Sequence, residues 1–148
     1  MALIGRYEYS LDPKNRLGVP PKYREALARE KGTHFYLTMG LDGCLSLYLP
    51  SEWQKLQENS RNLFSHPDKE KQRAFTRKFF SEATEVELDS AGRILIPAQH
   101  KTRAGLKTTV LMLGVNNRAE IWDLQKWNSY NKSKVEPTFK EVSKTLDI

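Results

Sequence analysis

The sequence predicts an α+β fold, mainly β, that is built from two copies of one unit. The first observation is that the ten residues Leu11–Pro20 return as Leu88–Pro97, shifted by 77 positions. The second is that Gly40–Trp53 returns as Gly114–Trp127, shifted by 74 positions. Two blocks in the same order and at nearly the same spacing indicate an internal duplication. Because one copy alone is close to the smallest size that buries a core, we expect the two copies to pack on each other.

The first repeat, residues 1–53, is predicted as a strand, a turn, a return strand and a helix, followed by a hairpin. Partial alternation indicates the first strand, and Asp, Pro and Asn favour the turn after it. Two prolines open a helix that Gly32 ends, and Ser51 has the spacing of a capping box on the next helix. The predicted elements are strands at 4–11, 16–19, 35–39 and 44–49, a helix at 22–31, and a helix from residue 51.

The second repeat, residues 84–127, follows the same plan. A turn at residues 89–92 joins its first two strands, and Pro97 leads a short helix that Gly105 closes. Asp123 is expected to cap the helix after the last strand, because its carboxylate can accept from the free N–H groups of the first turn. The predicted strands are 85–88, 93–96, 110–113 and 119–122.

The residues outside the repeats are predicted to be mostly helical. Residues 54–83 form a helical insertion, with one apolar stripe that includes Leu63 and Phe64 and a break near residues 65–67. Residues 128–148 form a polar C-terminal tail that ends in a weak helix. We therefore expect four segments along the chain: repeat, insertion, repeat and tail.

The chain is moderately basic, with a net charge of +6 and a pI near 9.4. No single segment carries the excess, so any anion-binding surface must be assembled in three dimensions; the alternative is ordinary solubilising charge. Lys69, Arg73 and Arg77 fall four residues apart and form a basic stripe on the second helix of the insertion. That stripe is either a solvated helix face or a surface for nucleic acid or another partner.

The cysteine content and the hydropathy indicate the compartment. Cys44 is the only cysteine, which fits a reducing environment, and no run of residues has the length and apolarity of a membrane span or of a signal peptide. We therefore expect a soluble cytoplasmic protein without a membrane partner.

The repeated turn carries the functional signal, because each copy has an Asp four residues before an Arg. Asp12 and Asp89 can accept from the backbone N–H groups of their turns. Arg16 and Arg93 can reach back to those carboxylates, or point outward to contact phosphate or the O6 and N7 atoms of guanine. Spacing alone leaves two alternatives open: each pair pins its own hairpin, or each arginine binds DNA.

The two copies of the turn also differ in charge. The first copy has Lys14 and Asn15 before its arginine, where the second has Ala91 and Gly92. On the helix that follows, the first copy has Lys22 and Arg24, where the second has Gln99 and Lys101. If both turns contact an anion, the first should contribute more to the affinity.

These two motifs, Leu11–Pro20 and Leu88–Pro97, each followed by a short helix, resemble the AbrB/SpoVT-type swapped hairpin. Two of them in a chain of this length, with Tyr48-Leu49-Pro50 and Ile121-Trp122-Asp123 following, resemble the MraZ family of bacterial transcriptional regulators. The resemblance covers about residues 4–127, including the helical insertion.

The resemblance implies a pseudo-twofold, double-split β-barrel of interleaved swapped hairpins with helices packed outside. It also implies a closed ring of identical subunits, a homo-oligomer that binds double-stranded DNA carrying short direct repeats. Such a regulator would be nucleoid-associated and would repress its own promoter and the division and cell-wall gene cluster behind it. By the same resemblance, the DNA-binding residues are Asp12, Lys14, Asn15, Arg16, Asp89, Gly92 and Arg93.

Other functional classes find less support in the sequence. An enzyme is not expected, because no nucleophile elbow, phosphate-binding glycine loop or paired metal-ligating histidines occur, and no cofactor or metal is predicted. The alternative is an antitoxin-like or other protein-interaction module that uses the same hairpin fold. RNA binding is less favoured, because the aromatic residues have the spacing of core positions.

Overall fold

The computed structural model describes residues 2–148 and has an α+β architecture. The strands are β1 (Leu3–Ser10), β2 (Arg16–Gly18), β3 (His34–Met39), β4 (Leu45–Tyr48), β5 (Thr84–Glu87), β6 (Arg93–Leu95), β7 (Thr109–Asn116) and β8 (Ala119–Asp123). The helices are α1 (Pro21–Arg29), α2 (Pro50–Glu58), α3 (Ser60–Leu63), α4 (Lys69–Ser81), α5 (Ala98–Ala104), α6 (Leu124–Tyr130) and α7 (Glu136–Ser143). A π-helical turn, Asn131–Val135, joins α6 to α7. The predicted order of elements is confirmed.

Six strands form one antiparallel sheet in the order β1-β7-β8-β4-β3-β5. The pairs β3–β4 and β7–β8 are hairpins within a repeat, and β4 pairs with β8 where the repeats meet. The first strand of each repeat pairs with the third strand of the other repeat, β1 with β7 and β5 with β3. The two repeats are therefore interleaved and share one core, as the size of each copy predicts.

The closed barrel implied by the resemblance is not found in residues 2–148. The sheet is open, with β1 and β5 at its two edges. The short strands β2 and β6 pair with each other in a separate antiparallel ribbon instead of linking those edges. Only the α+β class, not the barrel, is confirmed. The boundaries of the four predicted segments stay a prediction.

The β2–β6 ribbon has one buried face and one solvent-facing face. Leu17 and Ile94 are partners at the centre of the ribbon, and both are buried in the main core. Because side chains alternate along a strand, the flanking Arg16 and Arg93 lie on the opposite face. The core therefore determines which way the arginines of the repeated turns point.

Two predicted helix ends are wrong in detail. The residue with left-handed φ after α1 is Lys31 (φ 56°), and not Gly32. Ser51 makes no capping box, because Pro50 takes the first helical position and Ser51 lies inside the helix, where its N–H and Oγ–H donate to the Glu30 carboxylate. The Asp123 cap of α6 is confirmed, since Oδ2 accepts from Lys126 N at 3.2 Å.

The helical insertion consists of α2, α3 and α4, with the predicted break between α3 and α4. Phe64 and Phe79 anchor it in an aromatic cluster with Trp53. Leu63, predicted in the apolar stripe, is 61% exposed instead. Across residues 2–148, every helix is too short or too polar to span a bilayer.

Candidate nucleic-acid interface

The first turn is organised around one carboxylate. Asp12 Oδ1 accepts from the backbone N–H of Lys14 (2.9 Å) and of Arg16 (2.8 Å), and Oδ2 accepts from Arg16 Nε at 2.8 Å. The backbone closes the same turn, because Asn15 N donates to Asp12 O at 2.9 Å. Asn15 has a left-handed φ of 63°, a conformation that asparagine adopts more readily than most residues. The turn predicted from the sequence is therefore present.

The second turn repeats this geometry. Asp89 Oδ1 accepts from the backbone N–H of Ala91 and of Arg93, both at 2.9 Å, and Oδ2 accepts from Arg93 Nε at 3.2 Å. Gly92 N donates to Asp89 O at 3.0 Å and has a φ of 76°. Equivalent residues therefore make equivalent bonds in the two copies.

The hydrogen bonds favour the charged form of both carboxylates. The pKa of Asp12 is lowered, chiefly by the backbone hydrogen bond from Arg16 and further by the guanidinium of that residue, against an opposing effect of burial. The pKa of Asp89 is lowered for the same reasons, with the backbone N–H of Arg93 first. Both turns are therefore built around a negative charge.

Backbone hydrogen bonds join the two turns into one unit. Val19 N donates to Gly92 O at 3.0 Å, and Ile96 N donates to Asn15 O at 2.8 Å. Both bonds extend the β2–β6 ribbon, and each connects one repeat to the turn of the other. The two predicted sites, which are 77 positions apart in the sequence, are neighbours in the fold.

The two arginines are not equally engaged. Arg93 Nη1 lies 3.6 Å from Asp12 Oδ2, so this guanidinium faces the carboxylates of both turns. Arg16 is ion-paired with Asp12 alone, through Nε, and within residues 2–148 its Nη atoms make no hydrogen bond. The side chains of Arg16 and Arg93 are 36% and 35% exposed. Each arginine therefore bonds to the carboxylate of its own hairpin and also stays partly exposed to solvent.

Two cations on the helices that follow the turns also belong to this site. Lys101 on α5 donates from Nζ to Asn15 Oδ1 at 3.0 Å. Arg24 on α1 donates from Nε to Val19 O at 3.1 Å, and a Cβ added at Gly92 would lie 2.9 Å from Arg24 Nη1. The helix of each repeat thus covers the turn of the other. The shift of 77 residues makes Arg24 and Lys101 equivalent residues of the two repeats.

The exposed tips of the turns differ as the sequence shows. Lys14 is exposed, and the equivalent residue of the second turn, Ala91, is exposed and uncharged. The first turn therefore presents an additional cation beside its arginine. All seven predicted DNA-binding residues lie in the two turns or at the start of the strand that follows each turn, and the ribbon joins these two segments. They are Asp12, Lys14, Asn15, Arg16, Asp89, Gly92 and Arg93.

The residues that could suggest catalysis have structural surroundings. Cys44 is buried and donates from Sγ to Leu41 O, and burial raises the pKa of its thiol to about 12, which keeps it protonated. His100 is buried against the Glu82 carbonyl, with 2.7 Å between Nε2 and the oxygen. In residues 2–148, histidine, cysteine and acidic side chains form no cluster of three that could hold a metal ion.

Comparison with known proteins gives the family. The family described as "MraZ protein, putative antitoxin-like" matches this chain twice, over residues 2–77 and 79–148. The two matches together cover nearly the whole chain, and each contains one copy of the Asp-x-x-x-Arg turn.

Curated relatives agree with this match, and each is named "Transcriptional regulator MraZ". The Heliobacterium modesticaldum protein is 42% identical over 144 residues, 97% of this chain and 95% of its own length. The Clostridium beijerinckii protein is 46% identical over 134 residues (90% and 89%), and the Caldanaerobacter subterraneus subsp. tengcongensis protein is 41% identical over 145 residues (98% and 96%). A family of transcriptional regulators is not a family of enzymes, so the expectation of a non-enzyme is confirmed. By both comparisons, this chain belongs to the MraZ family.

Proposed function

We propose that the protein is a sequence-specific DNA-binding regulator that represses its own promoter and the division and cell-wall gene cluster by binding short direct repeats. The observation that carries the proposal is the pair of Asp-x-x-x-Arg turns, which backbone hydrogen bonds join into one unit while both arginine side chains stay partly exposed. The naming of the relatives as transcriptional regulators supports it.

The geometry suits contact with duplex DNA. An arginine whose Nε is fixed by a carboxylate has little conformational freedom left to lose, and its two Nη groups can bind guanine or phosphate in a fork. Lys14 adds a phosphate-reaching charge at the tip of the first turn. The DNA-binding residues that we propose are therefore the seven turn residues of the predicted set, supported by Arg24 and Lys101.

We further propose that the protein acts as a closed homo-oligomeric ring in the cytoplasm, associated with the nucleoid. One subunit offers few cations at its turns, so it should bind weakly and with a shallow dependence on salt. A ring that presents identical turns to successive operator repeats makes the later contacts near-intramolecular, which raises avidity by as much as about 10²–10⁴ without new contacts.

The test is direct binding to the DNA upstream of the protein's own gene. We expect the full chain to shift a duplex that contains the direct repeats, and to bind a duplex with the repeats scrambled one at a time progressively less well. Arg16→Ala should reduce binding while the protein stays folded and assembled. Equal binding of the native and the fully scrambled duplex would refute the proposal.

The second candidate is an antitoxin-like or other protein-interaction module. It is favoured by an exposed apolar group on the C-terminal helix α7, where Phe139 is 70% and Val142 42% exposed. This candidate predicts that Phe139→Ser abolishes capture of a protein partner while operator binding is unchanged. Loss of operator preference in Arg16→Ala, with Phe139→Ser unaffected, would decide for the DNA-binding regulator.

A further inference from the structure

A second basic surface lies on the helical insertion, away from the two turns. Arg61 on α3 and Arg73 and Arg77 on α4 line one open groove of about 310 Å³, which we call the arginine groove. Of the predicted basic stripe, Arg73 and Arg77 belong to the groove, whereas Lys69 donates from Nζ to Gln72 Oε1 at 3.3 Å. The third arginine of the groove is Arg61, which lies on α3 and so could not be found from the spacing of residues along α4.

These three arginines are distinguished by having no partner. Within residues 2–148 they make no ion pair or hydrogen bond through their side chains, whereas each of the other arginines has a hydrogen bond, ion pair or other electrostatic contact. The others are Arg6, Arg16, Arg24, Arg29, Arg93, Arg103 and Arg118. No carboxylate lines the groove. Three uncompensated positive charges around one groove repel each other, and a bound anion relieves that repulsion.

The packing beneath the groove holds the arginines in position. Phe64, next to α3, packs edge-on against Phe75 and Phe79 of α4, with ring centroids 4.9 and 5.0 Å apart. Phe79 is buried, and its carbonyl oxygen accepts from Thr38 Oγ1 of the sheet at 2.7 Å. The cationic groove is therefore fixed to the core and is not a set of charges on a loose segment.

The lining favours phosphate groups of an extended polyanion. The guanidinium group matches phosphate in a bidentate fork, and the Ser60 hydroxyl beside it is a further phosphate donor type. Gln72 is the one amide in the lining, and its Oε1 already accepts from His66 N and Lys69 Nζ. With all three arginines exposed, the groove is suited to contact a backbone and not to read base edges.

Hydrogen bonds connect the helix that carries the groove to the turns through α5. Glu82, the residue after α4, accepts hydrogen bonds from Gln99 and Arg103 of α5. The same helix α5 holds Asn15 of the first turn through Lys101. Arg77 precedes Glu82 by five residues, about 8 Å of helix axis. The groove and the turns therefore belong to one hydrogen-bonded framework, joined through α5.

We propose that the arginine groove binds the phosphate backbone of duplex DNA outside the operator repeats, adding affinity without sequence preference. This inference rests on the proposed function, and it assigns a role to the insertion that the turns do not have.

The test compares two triple variants of the full chain with the same reduction of charge. One is Arg61→Gln/Arg73→Gln/Arg77→Gln; the control is Lys134→Gln/Lys140→Gln/Lys144→Gln in the C-terminal region. Binding is measured from low to moderate salt on the repeats alone and on the repeats extended at each end by about 21 base pairs, two helical turns, of arbitrary sequence.

For the groove variant, we expect the slope of log K against log salt on the extended duplex to become shallower by about 0.9 for each phosphate that the protein no longer neutralises, up to about 2.7 per bound subunit. Its preference for native over scrambled repeats should be unchanged, and on the short duplex it should resemble the wild type. The lysine control should keep the wild-type slope.

Three outcomes would overturn the inference. An unchanged slope in the groove variant would show that the arginines do not contact DNA. An equal change in the lysine control would show a general charge effect. A change in particle mass by light scattering would place the arginines at a contact between copies. Failure of the proposed function is distinguishable, because the wild type itself would then show no preference for native repeats.

Discussion

The two Asp-x-x-x-Arg turns share one backbone and differ in what surrounds it. In the first turn, Arg16 pairs with a single carboxylate and has the exposed cation Lys14 beside it. In the second turn, Arg93 faces two carboxylates, and an alanine takes the place of the lysine. The duplicated geometry maintains the ribbon, whereas the charges have diverged. We therefore expect the first turn to contribute more to DNA binding, and the second to contribute more to holding the two turns together.

Arg16→Ala and Arg93→Ala should differ more strongly in operator affinity, at fixed salt, than any other pair of variants proposed for the turns. Arg16→Ala should cost about 1–3 kcal/mol if the arginine reads a base, or roughly 5–150-fold in affinity for each turn bound. Arg93→Ala should cost less, because its guanidinium is already shared between Asp12 and Asp89. Fluorescence anisotropy with a labelled operator measures both.

Each arginine variant needs a check of assembly and a charge-preserving counterpart. Light scattering shows whether the variant still assembles, and Arg16→Lys separates the effect of the charge from that of the guanidinium fork. A larger loss of affinity for Arg93→Ala than for Arg16→Ala would reverse the comparison.

The second effect concerns stability at the tip of the second turn. Gly92→Ala places a Cβ on a backbone with φ 76°, which costs about 1–2 kcal/mol. The added Cβ would also lie 2.9 Å from Arg24 Nη1, so that the Arg24 side chain has to move. The matched control is Gly105→Ala, since Gly105 has a φ of 65° and nothing within 4 Å of the added Cβ. Urea unfolding should show a larger decrease in stability for Gly92→Ala than for Gly105→Ala. Equal decreases would mean that Arg24 adapts without cost.

A smaller effect should follow from exchanging the charge between the two turn tips. Lys14→Ala should make the salt dependence of operator binding shallower by about 0.9 per subunit, and Ala91→Lys should make it steeper by a similar amount. The double exchange should leave the slope near that of the wild type if the tips are equivalent in position. If Ala91→Lys leaves the salt dependence of operator binding unchanged, the tip of the second turn does not reach a phosphate.

The smallest effect is the pH dependence of the turns. Because the pKa values of Asp12 and Asp89 are lowered by folding, the stability that their charged forms contribute is present above the ordinary aspartate pKa, about 3.9, and is lost as pH falls through the folded-state values. Unfolding free energies measured down this range for wild type, Asp12→Asn and Asp89→Asn should converge at low pH. A difference that persists at the lowest pH would indicate a role other than charge.

Much of the fold could be predicted from local sequence. The duplication, the turn residues and the hydrophobic alternation identify all the strands, because each signal acts within a few residues. The pairing of β1 with β7 and of β5 with β3 has no local signal, so the sequence does not predict the open sheet. The prediction for Gly32 is wrong because the preceding residue, Lys31, adopts the left-handed φ after α1. The prediction for Ser51 is wrong because Pro50 takes the first position of α2, which leaves Ser51 inside the helix.

In the candidate site, too, contacts between residues close in the sequence could be predicted, whereas contacts between distant residues could not. The carboxylate-to-backbone bonds within each turn follow from the Asp-x-x-x-Arg spacing. The contacts of Lys101 with Asn15 and of Arg93 with Asp12 join residues that are distant in the chain, and depend on how the repeats pack. Arg61 joins the groove for that reason too, because Phe64 folds α3 onto α4.

The exchange of strands between repeats also has a consequence during synthesis. The partner of β1 is β7, which begins at Thr109, so β1 leaves the ribosome about 100 residues ahead of the strand that completes it. At roughly 5–20 residues per second, this is a delay of about 5–20 s. During that time the first repeat exposes leucines that the finished chain buries, such as Leu3 and Leu45. We therefore expect the nascent chain to depend on protection from aggregation until the second repeat arrives, and to collapse into its native form only once its last strands are made.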